Sequence, residues 1–195
     1  MNIAILDYQA GNIRSVVNAL AYCGYKPILT HDAGELQKAD KVIIPGVGHA
    51  GKAMDFLRKQ ALVSCLQQLK QPVLGICLGM QLFCSYLEEG QTEGLGIFPA
   101  KVLKLPKHQL NVPHMGWNEV SNKSQEPFLG AESGTVFYFV HAYCAEIVAE
   151  TTLATDYIRP FSAAMRKENY YGVQFHPEKS GTSGMELLIN FLKIQ

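Results

Sequence analysis

No stretch of the sequence approaches the roughly 18 consecutive apolar residues that mark a membrane-spanning helix. The opening residues, Met1-Asn2-Ile3-Ala4-Ile5-Leu6-Asp7, lack the basic region that begins a secretory signal. An excess of charge of one sign is absent too. Seventeen basic and seventeen acidic residues cancel, and no basic stripe or acidic tail breaks the balance. That argues against nucleic acid and anionic membranes as partners. No Cys-x-x-Cys pair occurs, and the five cysteines (Cys23, Cys65, Cys77, Cys84, Cys144) are an odd number. Free thiols in a reducing, cytoplasmic setting are expected. Neither an internal repeat nor a Ser/Gly/Pro-rich linker divides the chain. At 195 residues it is long enough for one full core, so a single domain over residues 1–195 is expected.

What is there reads as alternating strand and helix. Residues 2–7 are an apolar run, a first strand. Asn12 is placed to cap a helix from Ile13 to about Cys23, with Val16, Val17, Leu20 and Ala21 on its apolar face and Gly24 as its stop. Strands are expected at Lys26–Thr30, Val42–Ile44 and Val73–Ile76, with helical spacing from about Lys52 to Leu69. Short links between such elements imply a parallel sheet covered on both faces. Beyond Gly90 the pattern changes. Strands are expected at Ile97–Leu105 and Val136–Val140, with a rigid loop over Val112–Val120. A hairpin is expected from Ala163–Arg166 and Tyr171–Phe175, and a closing helix from Gly184 to Ile194. The second half therefore reads as antiparallel or mixed.

The chemistry concentrates at Gly75-Ile76-Cys77-Leu78-Gly79. A cysteine on a sharp strand-to-helix turn has the geometry of a nucleophile elbow. The flanking glycines keep Cβ atoms out of the turn. The helix that opens at Leu78 points unpaired N–H groups back at Cys77, where they can hold a developing oxyanion. A nucleophilic cysteine needs a base, and the base an orienter. Of six histidines, His176 directly follows a strand, where open α/β sheets place their sites. Pro177 and Glu178 come next, and Glu178 is placed to hold the far ring nitrogen. Such a base predicts a titration near neutrality. Pro45-Gly46-Val47-Gly48 also ends a parallel strand, and its glycines free backbone N–H groups for a second oxyanion element. It is too short for a phosphate loop and lacks the lysine of one.

Gly-Ile-Cys77-Leu-Gly-Met-Gln81 and Phe175-His176-Pro-Glu178 resemble the class I (triad) glutamine amidotransferases. The resemblance implies a flavodoxin-like α/β fold: a central, mostly parallel sheet flanked by helices, with a smaller antiparallel portion in the second half. It also implies that Cys77 attacks the glutamine carboxamide, His176 shuttles the proton, Glu178 orients His176, and a glutamyl thioester is hydrolysed after ammonia leaves. Within the family, Asp7-Tyr8, Gly11-Asn12-Ile13-Arg14-Ser15-Val16, Pro113-His114-Met115-Gly116-Trp117-Asn118, Tyr138-Phe139-Val140-His141 and His176-Pro177-Glu178-Lys179-Ser180 are similar to the glutaminase subunits of imidazole glycerol phosphate synthase. That likeness implies Gly46, Val47 and Leu78 at the oxyanion, Gln81 on the substrate glutamine, and Asn12, Trp117, Tyr138 and Lys179 at a partner interface. The implied partner is a (β/α)8-barrel cyclase (HisF) that receives the ammonia, and no cofactor or metal is called for. Gln9 stands where these subunits usually carry glycine. Two alternatives stay open: a paralogous glutaminase feeding a sugar amidotransferase in surface-polysaccharide synthesis, and a non-catalytic regulatory or chaperone-like subunit on the same fold.

Overall fold

The computed structural model describes residues 1–8, 11–107, 109–124 and 128–195; Gln9 lies outside them. Four short strands, β1 (Ile3–Leu6), β2 (Ile28–Thr30), β3 (Lys41–Ile44) and β4 (Val73–Ile76), alternate with helices α1 (Ile13–Tyr22), α2 (Ala33–Lys38), α3 (Ala50–Lys59) and α4 (Val63–Gln68). A five-residue helix α5 (Leu78–Leu82) follows β4. Then come β5 (Cys84–Leu87), β6 (Thr92–Glu93), β7 (Phe98–Lys104), β8 (His114–Glu119), β9 (Ser121–Asn122), β10 (Val136–His141), β11 (Tyr143–Ala145), β12 (Thr151–Tyr157), β13 (Arg159–Lys167) and β14 (Tyr170–Val173). A 3-10 turn at Pro177–Lys179 leads into α6 (Gly181–Lys193).

The main sheet has eight strands in the order β2-β1-β3-β4-β14-β13-β12-β9. Its first five run parallel and the remainder antiparallel. Strands β1, β3 and β4 are buried at every position and, apart from Lys41 at the start of β3, apolar, because a parallel sheet is covered on both faces. The alternation of side chains sorts them to two cores. Ala4, Leu6, Val42, Ile44 and Val73 face α2, α3 and α4 through Leu36, Met54, Leu57 and Leu66. Ile3, Ile5, Ile43, Leu74 and Ile76 face α1 and α6 through Val16, Leu20, Leu188 and Phe191. A four-stranded sheet (β11-β7-β5-β6) and the β10-β8 ribbon pack outside this frame.

Several expectations need correction. The helical stretch read from Lys52 to Leu69 is two helices, broken where Ala61 takes φ 54°. Helix α2 escaped notice, although Asp32-x-x-Glu35 is a capping pattern and Asp32 accepts from the Glu35 N–H at 2.8 Å. The loop expected over Val112–Val120 is strand β8 over most of its length. Cys84 begins a strand, so the helix that opens at Leu78 is short. Strand β12 carried no expectation at all. Asn12 does not cap α1: its φ is 68° and no side-chain bond reaches the helix N–H groups. Its amide is engaged elsewhere, as described next.

Candidate active site

Strands β1, β3, β4 and β14 point their carboxyl ends the same way. The segments after β3, β4 and β14, which begin at Pro45, Cys77 and Gln174, therefore meet along one edge of the sheet. Cys77 takes φ 53° and ψ −106°, a region that non-glycine residues enter only where the surroundings force it. The forcing is visible. Cys77 N–H donates to Val173 O at 2.7 Å, while its own carbonyl accepts from Gln81 N–H at 3.1 Å. A Cβ on Gly79 would run into the Ile44 carbonyl, and one on Gly75 would sit 2.6 Å from the Phe83 ring. The expected elbow is present, and Cys77 is 6% exposed within it.

His176 lies on the loop beyond β14, 1% exposed. Its N–H donates to Tyr138 O at 2.9 Å, and its carbonyl accepts from Ser180 Oγ at 2.7 Å. Its Nδ1–H donates to Glu178 Oε1 at 2.9 Å, and the Glu178 side chain is 1% exposed. Asn12 Nδ2 donates to the same oxygen at 3.0 Å, and its own Oδ1 accepts from Ser15 Oγ at 2.7 Å. Asn12 therefore braces the carboxylate that holds the histidine, a role the sequence reading did not assign. On the far side of the ring, Nε2 is buried without a fully formed hydrogen bond, and the Cys77 sulfur is the neighbour that acts on it. Burial by itself would lower the pKa of His176. Hydrogen bonding and charge from Cys77 and Glu178 outweigh it and push the value up to about 10. The neutral-range titration expected of a bare histidine is displaced accordingly.

A cavity of about 220 Å³ opens onto Cys77, lined by Val47, Gly48, Leu78, Gln81, Glu89 and the Val140–Tyr143 segment. A larger cleft of about 760 Å³ lies between Lys123 and Ile194 but is lined by neither Cys77 nor His176, so the chemistry follows the smaller one. Gln81 spends its amide hydrogens on Tyr143 O at 3.0 Å and Gln174 Oε1 at 2.9 Å. Only its Oε1 is left to accept from a ligand. Glu89, missed in the sequence, brings a carboxylate to the cavity, with Oε2 accepting from Ala50 N–H at 2.8 Å.

The residues expected at an oxyanion, Gly46, Val47 and Leu78, are adjacent. Leu78 N–H donates to Gly46 O at 3.3 Å, so this N–H is already engaged. Tyr8, also missed, donates its buried hydroxyl to Pro45 O at 2.7 Å and lies where a Cβ on Gly46 would fall. Burial, then the charge of Cys77, raises its pKa, so it stays a neutral donor.

Of the residues expected at an interface, Trp117 and Tyr138 share one face of the β10-β8 ribbon. Trp117 is 58% exposed and Met115 is exposed beside it on β8. Tyr138 pairs with Trp117 across the ribbon, with ring centroids 6.0 Å apart. Lys179 is exposed on the turn after Glu178. Beneath this face His114 and His141 are buried side by side. Tyr143 O can only accept, so His141 Nδ1–H donates to it at 2.9 Å. His141 Nε2 must then accept from His114 Nδ1–H at 3.0 Å. Burial lowers His114 to about 4. Burial, with the His114 charge next, lowers His141 to about 3. A histidine depressed in the folded state stabilises the fold above its unfolded value near 6.5 and withdraws that stability as pH falls toward its folded value. Urea midpoints should therefore drop as pH falls between about pH 6.5 and pH 4. Equal midpoints at the two ends of that range would show that the pair is not held neutral.

The model of the family "Glutamine amidotransferase class-I" matches residues 4–194. The chain is 47% identical, over the full length of both, to the imidazole glycerol phosphate synthase subunit HisH of Bacteroides fragilis (strain YCH46). It is 44% identical, again over both full lengths, to the HisH subunit of Yersinia pseudotuberculosis. Among solved structures, one described as a glutamine amidotransferase superposes with a TM-score of 0.76 at 16% identity, covering 98% of this chain and 97% of the other; at that identity the match speaks for the fold alone. The chain thus belongs to the class-I glutamine amidotransferase family, among the HisH subunits of imidazole glycerol phosphate synthase.

Proposed function

We propose that this chain is a single amidotransferase domain over residues 1–195 in which Cys77, His176 and Glu178 hydrolyse L-glutamine and deliver the ammonia to a cyclase. The observation that carries the reading is the buried His176–Glu178 pair set against a strained Cys77 at the mouth of a small cavity. The chain is a glutaminase subunit of the synthase that works in histidine biosynthesis, and its relatives share its full length.

In the reaction, the Cys77 thiolate attacks the side-chain carboxamide carbon of glutamine. His176, charged at neutral pH, gives its proton to the departing nitrogen, and ammonia leaves a glutamyl thioester. His176 then takes a proton from water as that water attacks the thioester, and glutamate is released. Glu178 fixes the ring and stabilises its charge, and Asn12 fixes Glu178. Glu89 and the free Oε1 of Gln81 suit the α-ammonium of the substrate.

The oxyanion needs N–H donors. Leu78 N–H becomes free only if the Gly46 carbonyl turns away, which would also bring Val47 N–H toward the site. Space exists for that turn. The 220 Å³ cavity and a second one of about 520 Å³ share Val47, Gly48 and Leu78, and Gly48 already sits at φ 128°. Glutamine turnover by the chain alone should therefore be slow. It should rise when a cyclase carrying its nucleotide ligand is added, and equal rates with and without it would count against the gated oxyanion.

Ammonia released into neutral water would be protonated and lose its nucleophilicity, so a cyclase subunit of the HisF kind must take it directly. Trp117, Tyr138, Lys179 and the exposed side of Asn12 form the face for it. Free thiols at all five cysteines suit a reducing cytoplasm. Among the described residues no helix is long and apolar enough to cross a membrane. Trp117→Ala should weaken association with the cyclase by about 2 kcal/mol, as loss of an exposed aromatic anchor does. Lys179→Ala should raise the ratio of glutamate formed to cyclised product above one. If both variants bind normally, keep that ratio near one and respond fully to the cyclase ligand, these residues are ordinary scaffold.

A further inference from the structure

Gln174 is fully buried at the end of β14. The register pairs Val173 with Ile76, so the next residues on the two parallel strands, Gln174 and Cys77, stand side by side. A primary amide shut away from water must find partners for its oxygen and its N–H groups. Its Oε1 accepts from Gln81 Nε2 at 2.9 Å, and its Nε2 lies 3.5 Å from Cys77 Sγ as a donor.

The two ends of an amide are easily interchanged in a structure, but here the surroundings decide. Tyr143 O is a backbone carbonyl and can only accept. It takes one hydrogen from Gln81 Nε2 and another from His141 Nδ1, which turns the Gln81 nitrogen inward. The second hydrogen on that nitrogen requires an acceptor, and Gln174 Oε1 is the atom facing it. Gln174 Nε2 is therefore the end turned to sulfur. Reversing Gln174 would set N–H against N–H at Gln81 and an oxygen lone pair against Cys77.

The sulfur needs such a donor. In the thiol form Cys77 Sγ–H points to Val140 O at 3.8 Å. Once that proton passes to His176 Nε2, the Val140 carbonyl faces a negative sulfur with nothing between them. We infer that Gln174 holds the thiolate of Cys77 through an N–H···S bond whose direction is set by Gln81 and the Tyr143 carbonyl. The inference rests on Cys77 being the nucleophile. It gives the two buried glutamines separate roles: Gln81 turns its oxygen to the substrate, and Gln174 its nitrogen to the attacking atom.

The test is the rate at which iodoacetamide alkylates Cys77 in the full chain, followed on the Cys77 peptide across a range of pH. Gln174→Met keeps the length and burial of the side chain and removes the donor. The ionisable groups around the sulfur, His176 and Tyr8 beside it, Glu178 behind His176, and Glu89 and His141 on the cavity, are all retained. A hydrogen bond to a charged group is worth at least about a factor of ten. Alkylation at neutral pH should therefore fall about tenfold, and its rise should move to more alkaline solution. In the complex with the cyclase, kcat for glutamine should fall by a similar factor, with KM held within about twofold.

A folded Gln174→Met protein alkylated at the wild-type rate and pH would overturn the inference. Should that variant fail to fold, Gln81→Met leaves Gln174 Oε1 without its donor and its amide free to turn. A severalfold slower alkylation of Cys77 is then expected, and an unchanged rate overturns the inference equally. Failure of the nucleophile reading is seen separately, as a Cys77→Ser complex that still turns over glutamine.

Discussion

In the complex with its cyclase, Cys77→Ser is expected to lower glutamine-dependent synthesis by about 10⁴-fold or more, the scale on which loss of a nucleophile acts. Synthesis driven by added ammonium salt should survive. The two activities separate because the cyclase needs only ammonia, and Cys77 serves only to release it. Serine keeps the size of the side chain at a position where φ 53° is already strained, so the elbow should persist. A glutamine analogue with an electrophilic carbon should label Cys77 and spare Cys84. Cys84 is wholly buried at the start of β5, with Sγ–H on Met80 O, and burial raises its thiol well above the ordinary range. Loss of both the glutamine-driven and ammonium-driven reactions would make Cys77 a structural residue.

The second large effect belongs to His176. His176→Ala should cost about 10³- to 10⁴-fold in glutamine turnover, and Glu178→Gln less, because the base carries the proton while its partner fixes tautomer and orientation. A wholly inactive Glu178→Gln beside an active His176→Asn would reverse the assignment. The pH dependence carries its own sign. His176 is raised to about 10 in the folded protein by Cys77 and Glu178 acting against burial. The charged ring, needed to protonate the departing nitrogen, should be lost as pH rises through about 10, and turnover with it. The same displacement bears on stability. A folded value above the unfolded one near 6.5 gives a stabilising contribution that is complete below about pH 6.5 and is lost as pH rises through about 10. In Glu178→Gln the alkaline limb of the activity profile should move toward neutrality. An unmoved limb would mean that Glu178 does not hold the charge.

Much of this was written locally. The strands β1, β3 and β4 could be read from apolar runs, because a strand buried on both faces leaves little room for polar side chains. The elbow could be read from Gly75 and Gly79, whose missing Cβ atoms make room for Phe83 and the Ile44 carbonyl. The His176–Glu178 pair could be read because its members are two residues apart, a spacing that a short turn after a strand brings together almost by itself.

Other features were not legible, and for a common reason: they depend on strand register and on neighbours far away in sequence. Helices α3 and α4 share one apolar period, and only the left-handed Ala61 divides them. Asn12 looked like a helix cap because Asn usually is one, yet a carboxylate 166 residues away claims its amide. Glu89 and Gln174 carry no motif of their own, and the Asp7-Tyr8 motif assigned Tyr8 no role. They matter because folding sets them around one sulfur or one cavity. The state of the oxyanion segment belongs to the same class. Gly46, Val47 and Leu78 can be named from sequence, but whether Leu78 N–H faces a substrate or the Gly46 carbonyl is a matter of two backbone dihedrals. The sequence by itself determined which groups are the candidates for the chemistry, since reactive side chains and turn-forming glycines are local choices. Only the tertiary structure decided which way each hydrogen bond points, because a donor's direction is settled by the acceptors that packing places around it.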